Sequence, residues 1–418
     1  MSGRRRVDYV LPLRWDTDQE VADLTRYLRW LQRHARVIVV DGSSPRLFES
    51  HHDLWSGLVC HIAPEPDGFL NGKVTGVQTG MRIARAERVI IADDDVRYDE
   101  TALRRTVDLL AGSDLVGPQN VFDPMPWHAA WDTARSLLNR AVAADYPGTF
   151  AVRRSIFMRM GGYSGDVLFE NLELMRTVRA CGGTVVRPRH LYVARRPPTL
   201  DRFAGQRVRQ AFDDLAQPWR LAIFLPVLPV TASRRGRYVV AVALAVSMLL
   251  AEVGRRRAGG AAVFPVWTVL FAPAWVAERS TCSWLALGQR FLLGGVRYAG
   301  QRIPIAAHRP RTLRRRVLGT TPLVPARGTE TDGAVRAVTE GPPAGPTTPA
   351  QRDNTATGID LEARLVDHPE NAAHQQRSVA VRRDQGSHPR VSRLTPVVSY
   401  HANSAAPAGA EKTVRRSE

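Results

Sequence analysis

The chain has 418 residues, 44% of them hydrophobic, and a formal charge of +18 from 58 Lys and Arg against 40 Asp and Glu. That length leaves room for one large α/β domain plus appendages. Its three cysteines, Cys60, Cys181 and Cys282, have neither metal-ligand spacing nor a disulfide framework, which excludes a disulfide-built scaffold and suits a reducing compartment. The charge is uneven: residues 1–217 carry 30 basic and 27 acidic groups, residues 218–301 carry 10 and 2, and residues 302–418 carry 18 and 11. A nucleic-acid reader concentrates its excess on a folded reading surface with a recognisable motif. Here the excess lies in and beyond an apolar region, so nucleic acid is excluded as a partner and an anionic membrane surface is expected.

At the N-terminus Arg4-Arg5-Arg6 leads into a strand, Val7 to Pro12, rather than into the apolar core of a signal peptide. A second β-branched run, Arg36 to Val40, ends in Asp41-Gly42-Ser43-Ser44. Next come Asn71-Gly72-Lys73, Gly76 and Gly80, opening a helical stretch to Ala86. Lys73 is conspicuous, because only it and Lys412 are lysines among the 58 basic residues. The third strand, Val89 to Ala92, ends in Asp93-Asp94-Asp95, with Asp99 and Glu100 just beyond. This alternation implies a parallel sheet with helical crossovers, presenting Pro12, Asp41 and the triplet along one edge. Clustered carboxylates repel and are costly to desolvate without a cation or donors, and hard oxygen ligands suit Mg²⁺ or Mn²⁺. The same residues also suit a solvated turn or a helix N-cap.

Further along, Trp127, His128 and Trp131 fit either a sugar-stacking platform or a helix packing face. Gly148 to Arg154 and Gly161-Gly162-Tyr163 precede Asp166 and the acidic helix start Phe169-Glu170-Asn171-Leu172-Glu173-Leu174. His190 follows Val185-Val186-Arg187-Pro188, and Gln206-Arg207-Val208-Arg209-Gln210 follows Pro198-Thr199-Leu200.

These pieces, in this order over roughly residues 7–217, resemble the family 2 glycosyltransferases, which have the nucleotide-sugar-binding GT-A (Rossmann-like) fold. Val39-Val40-Asp41-Gly42-Ser43 resembles the nucleobase-binding turn, with one acidic residue where the family often has two. Asn71-Gly72-Lys73 resembles the Asn-x-Gly-Lys loop, shortened by a residue, and Asp93-Asp94-Asp95 fits the Asp-x-Asp metal motif. The resemblance implies an inverting, metal-dependent transfer of a sugar from a nucleotide-sugar donor to a lipid-linked or glycan acceptor. It places the donor on Pro12, Asp41, Lys73, Asp93 and Asp94, with Gln206 and Arg209 holding the diphosphate or acceptor. The divalent cation (Mn²⁺ or Mg²⁺) falls to Asp93 and Asp95, and His190 is a further ligand candidate. Asn171 occupies the place of the usual catalytic Asp, and an amide cannot accept a proton at neutral pH. Glu170 is therefore the first choice of base, with Glu173 and Asp166 as alternatives. Gln210 replaces the tryptophan of the processive synthases' Gln-x-x-Arg-Trp, removing support for processive synthesis. Two other classes stay open: a nucleotidyltransferase that makes nucleotide sugars, and a non-catalytic binding relative.

Residues 258–277 contain no charge over 20 positions, enough for ~30 Å of helix. Residues 238–251 are too short for a full span, residues 221–233 fit an interfacial segment, and residues 281–300 fit an amphipathic helix. The expected organisation is a catalytic domain (1–217), a membrane-associated helical region (218–301) and a disordered basic tail (302–418) poor in aromatics. The expected location is the cell membrane, with the catalytic domain on the cytoplasmic side. A buried helical subdomain is the competing reading of the middle region.

Overall fold

The computed structural model describes residues 7–319; Arg4-Arg5-Arg6, Lys412 and the tail from residue 320 lie outside the described residues. The chain begins with β1 (Val7–Leu13), α1 (Val21–Leu31), β2 (Arg36–Asp41), α2 (Pro45–Trp55), β3 (Cys60–Ile62), α3 (Gly72–Ile83) and β4 (Arg88–Ala92). β3, β2, β1 and β4 pair in that order, all parallel. Their runs are apolar on both faces because helices cover both sides. Tyr9, Leu11, Val37, Val39 and Ile90 pack with Leu24, Leu28 and Leu31 of α1. Val10, Ile38, Val40 and Ile91 pack on the other side with Val74, Val77 and Met81 of α3. Asn71 caps α3 by accepting from the Lys73 backbone N–H, and Gly80 lets that helix lie so close to β1 that a Cβ would overlap Val10.

The next elements are β5 (Val96–Arg97), α4 (Glu100–Asp108), β6 (Leu115–Val116), β7 (Gln119–Phe122), α5 (Trp127–Val142) and β8 (Thr149–Arg153). α6 (Arg154–Arg159), α7 (Glu170–Ala180), β9 (Val185–Val186) and β10 (Tyr192–Arg195) follow. The main sheet has seven strands in the order β3-β2-β1-β4-β8-β6-β9. β8 runs antiparallel to both β4 and β6, so the parallel arrangement of the first four strands gives way to a mixed sheet. A second sheet, β5-β10-β7, stands beside the end of β4, its central strand parallel to β7 and antiparallel to β5.

The remaining described elements are α8 (Leu200–Gly205), α9 (Arg207–Phe212), α10 (Pro218–Phe224), α11 (Val227–Val230), α12 (Arg234–Arg256), α13 (Ala272–Leu292), the antiparallel hairpin β11 (Val296–Tyr298) and β12 (Gln301–Ile303), and α14 (Pro310–Gly319). They pack on the N-terminal sheet and helices, and all described residues belong to one compact unit. Phe224, Ala251, Phe264, Val269, Ala272 and Trp275 form one core with Ala134 and Leu137 of α5. Val296, Ile303 and Ala306 join Leu168, Ala211, Phe212 and Cys282 in another.

Two expectations change here. Residues 258–277 are not one helix: 3-10 turns at 257–262 and 266–271 flank Pro265, and Ala258 and Gly259 have positive φ of 51° and 74°. A left-handed pair followed by proline ends a regular helix whatever the hydropathy. The long apolar helix lies earlier: among the described residues, Arg234–Ala262 is the one stretch long and apolar enough to cross a membrane. Residues 302–319 are folded rather than part of a disordered tail, because β12 and α14 pack on the hairpin and on α7.

Candidate active site

The β4 strand delivers Asp93, Asp94 and Asp95 to the sheet edge, and each meets a different partner. Asp93 sits between two cations: Lys73 Nζ is 2.5 Å from its Oδ1 and Arg195 is 3.2 Å from its Oδ2. Asp94 Oδ2 accepts from Trp15 Nε1 at 2.5 Å. Asp95 Oδ2 accepts from Arg195 Nε at 2.7 Å, while its Oδ1 is buried with no hydrogen-bond partner. Burial pushes the Asp95 carboxyl up to about 6, and the neighbouring Asp93 and Asp94 charges add to this while Arg195 opposes it. A buried carboxylate oxygen without a donor is costly to leave unpaired.

Lys73 joins the two halves of the site. Besides Asp93, its ammonium contacts Glu170 Oε1 at 2.6 Å, so the triplet and the start of α7 share one cation. Burial works against the charge on Lys73, but the two carboxylates outweigh it and hold its pKa well above the ordinary lysine value. The loop before α3 is tied to the same region, since the buried Asn71 side chain donates to the Val167 carbonyl.

The other predicted residues divide clearly. Pro12 lies on β1, paired with Val40, and packs against Gly76 of α3. Asp41 ends β2 beside Leu13, but its carboxylate points inward: Oδ1 accepts from the Ser43 N–H at 2.9 Å, and Oδ2 meets His51 at 2.5 Å and His61 at 3.1 Å. Burial raises its pKa, yet hydrogen bonds from His61, Ser43 and His51 outweigh burial and hold it at about 2. Asp166 accepts from the Leu70 N–H at 3.4 Å. Glu173 is fully buried, and both its oxygens are taken by His308, through the backbone N–H at 2.8 Å and the ring at 2.7 Å. Asn171 donates to the Pro147 carbonyl. His190 is exposed and precedes β10; the position near the triplet belongs to Arg195, five residues later on that strand. Gly148 makes room for it, since a Cβ there would lie 2.8 Å from the Arg195 guanidinium.

On the far side of the triplet a cleft of about 110 Å³ runs between Asp94, Asp95 and Arg195 and the helices α8 and α9, where Gln206 and Gln210 line it. Arg209 instead lies over the Tyr298 ring at 5.1 Å. Trp131 donates to Glu278 and His128 to the Pro198 carbonyl, so these two serve packing, while Trp127 is 52% exposed.

Four residues beyond the sequence-derived set matter here: Trp15, Arg195, Asp213 and His308. Asp213 feels the charge of Glu170. Burial pushes its carboxyl up to about 8, Glu170 and Asp214 add to this, and Arg279 and Arg209 oppose it. The unfolded chain releases this proton near pH ~4. Between that pH and about 8 the unfolded state therefore binds fewer protons than the folded state, and stability falls as pH rises. Asp213→Asn cannot ionise, so its melting temperature relative to the unmodified protein should climb between pH 5 and pH 8.5. Parallel melting profiles across that range would show that Asp213 titrates normally.

No family model matches the sequence, and no curated protein matches it. Solved structures do show similarity. One is the mannosyltransferase PcManGT from Pyrobaculum calidifontis in complex with GDP-Man and Mn²⁺: 19% identity, 68% of this chain and 88% of that one covered, TM-score 0.42. Another is glucosyl-3-phosphoglycerate synthase from Mycobacterium tuberculosis with Mn²⁺ and UDP-glucose: 18% identity, coverage of 51% and 79%, TM-score 0.35. The same enzyme with Mg²⁺ and UDP gives 16% identity, coverage of 48% and 74%, and a TM-score of 0.33.

Proposed function

We propose that the chain is a membrane-associated glycosyltransferase of the GT-A, family 2-like type, moving a sugar from a nucleotide-sugar donor to a lipid-linked or glycan acceptor with inversion. The observation that carries this reading is the linkage of Asp93 and Glu170 through Lys73, which puts the donor-side carboxylates and the candidate base in one cluster. The donor set fits a divalent cation: hard carboxylate oxygens at a strand end, one of them buried without a partner. Asp93 and Asp95 would hold Mn²⁺ or Mg²⁺, which when bound neutralises the departing nucleoside diphosphate.

The chain's own groups do the rest. Lys73 and Arg195, now engaged with carboxylates, supply positive charge beside the donor phosphates, and Arg195 has the planar fork suited to them. Trp15 fixes Asp94, and Gln206 lines the adjoining cleft. Asp41 acts from beneath the donor turn by orienting Ser43, whose hydroxyl accepts from the Trp15 N–H at 2.9 Å. Glu170 accepts the acceptor hydroxyl's proton, since Asn171 cannot and both Glu173 oxygens are occupied.

The membrane reading rests on α12. Val239, Val242, Val246, Leu249, Leu250 and Val253 are exposed at helical spacing, while Ser247, Ala251 and Gly254 are buried. Arg234, Arg235 and Arg237 stand at one end and Arg255, Arg256 and Arg257 at the other, suiting an anionic cytoplasmic leaflet.

Calorimetry of the full-length protein with nucleoside diphosphates tests the donor site. Binding should require Mn²⁺ or Mg²⁺, and Asp95→Asn should abolish the cation dependence while the melting transition survives. Unchanged Mn²⁺-dependent affinity in Asp95→Asn would sink the reading; turnover only with a nucleoside triphosphate or pyrophosphate would point to a nucleotidyltransferase instead.

A further inference from the structure

Away from the triplet, three buried side chains from three elements converge: Asp41 at the end of β2, His51 in α2 and His61 in β3, at 1%, 0% and 6% exposure. Their ligand atoms all lie within 4.8 Å of one another. Asp41 Oδ2 is the centre, with His51 Nδ1 at 2.5 Å and His61 Nε2 at 3.1 Å. We infer that this cluster is a second metal site, built for a tetrahedral, nitrogen-preferring divalent cation of the Zn²⁺ class and separate from the oxygen site of the triplet.

Three features set this cluster apart from an ordinary buried histidine pair. The donor set is two imidazoles and one carboxylate, a combination that binds Zn²⁺ at ~2.0–2.2 Å with a fourth position for water. Ligands at that distance in a tetrahedron stand about 3.3 Å apart. His61 is near this spacing from Asp41 at 3.1 Å, while His51 at 2.5 Å would have to move back by under ~1 Å to admit the ion. Each imidazole also has a partner on its other nitrogen. His51 Nε2 meets Asp18 Oδ1 at 2.9 Å, and His61 Nδ1 meets His52 Nδ1 at 3.2 Å. A carboxylate behind a ligating histidine fixes its tautomer and orientation and strengthens the ligand. Both nitrogens of the fully buried His51 face carboxylate oxygens, Nδ1 toward Asp41 and Nε2 toward Asp18. With a metal bound, Nδ1 would ligate it and Nε2–H would donate to Asp18.

The location gives the site its consequence. A cation here ties α2 and β3 to the tip of β2, directly under the Asp41–Ser43 turn. From that turn the Ser43–Trp15–Asp94 hydrogen bonds lead to the triplet. The metal thus sets the floor of the donor site without touching the donor. This inference stands on the cluster's own geometry and does not depend on the transfer reaction.

The test uses full-length protein stripped with a chelator and titrated with Zn²⁺ alone, with no nucleotide present. One equivalent should bind and raise the melting temperature. Co²⁺ in its place should give the intense visible absorption of a tetrahedral nitrogen-ligated ion, not the weak bands of an octahedral oxygen site. Asp95→Asn should keep this equivalent, and His61→Gln should lose it. Because His61 is buried, its replacement disturbs packing as well as ligation, and Asp18→Asn supplies an independent measure: that side chain is 39% exposed and not a ligand. Its loss should weaken Zn²⁺ binding roughly 10–100-fold, the usual effect of removing a partner behind a ligating histidine. Absence of Zn²⁺ uptake by the unmodified protein, or uptake that Asp95→Asn abolishes while Asp18→Asn leaves it unchanged, overturns the inference and returns the cluster to a hydrogen-bonded network.

Discussion

Glu170→Gln should lower the rate of sugar transfer by roughly 10²–10⁴-fold, the contribution typical of one positioned base. The amide keeps the shape of the side chain and its contact with Lys73 but cannot take a proton. Lys73 retains Asp93 at 2.5 Å, so the donor side stays assembled and affinity for the nucleoside diphosphate should stay near that of the unmodified protein. The loss then falls on kcat rather than on donor binding. Glu173→Gln provides the contrast. That carboxylate is fully buried and receives both the His308 N–H and its ring, so its replacement should lower the melting temperature. Hydrogen bonds to a charged group are worth about 1.5–3 kcal/mol, enough to move a marginal fold visibly. Asn171→Asp should be tolerated, although Asn171 loses its donation to Pro147. Full transfer by Glu170→Gln, with loss in Asp166→Asn, would move the base to Asp166. Steady-state kinetics with calorimetry on the same preparations separates these outcomes.

What was legible in the sequence follows from what is local. The β-branched runs ending in Pro12, Asp41 and the triplet are strands in the expected places, because a buried parallel strand must be apolar along its length. The Asn71-Gly72-Lys73 segment is readable for a similar reason: a cap and two close-packed glycines leave a short pattern. Arg195 was not legible. It reaches Asp93 and Asp95 across about a hundred positions, and nothing near it marks it off from the many other arginines. His190 drew attention as the chemically suggestive residue on that segment, but it lies before the strand and faces solvent. Asp41 shows the complementary failure. Its position was readable, while the two histidines that turn its carboxylate inward arrive from α2 and β3. The membrane region failed on another count. Hydropathy picked out residues 258–277, yet Ala258, Gly259 and Pro265 set the backbone there.

The same long-range contacts predict that a chain ending at residue 217 will not fold, although the sequence resemblance ends there. Asp214, 1% exposed, would lose Arg220 at 2.7 Å and Arg279 at 2.9 Å. Removing the partner of a buried charge costs about 3–5 kcal/mol. Glu173 would lose His308, and Arg176 would lose its bond to the His308 carbonyl. Ala134 and Leu137 would be stripped of Phe224, Ala251, Phe264, Val269, Ala272 and Trp275, opening an apolar face on α5. Against a typical total of about 5–15 kcal/mol, these losses exceed what the remaining sheet can absorb. A chain of residues 1–319 in detergent should melt in one cooperative transition, and one of residues 1–217 should show none. Membrane association is then better probed by charge than by truncation. Val242→Glu with Val246→Glu, on the exposed stripe of α12, should release the folded protein from anionic vesicles. A cooperative melt of residues 1–217 near the full-length temperature would show that everything after α9 is an appendage, as the sequence boundary implied.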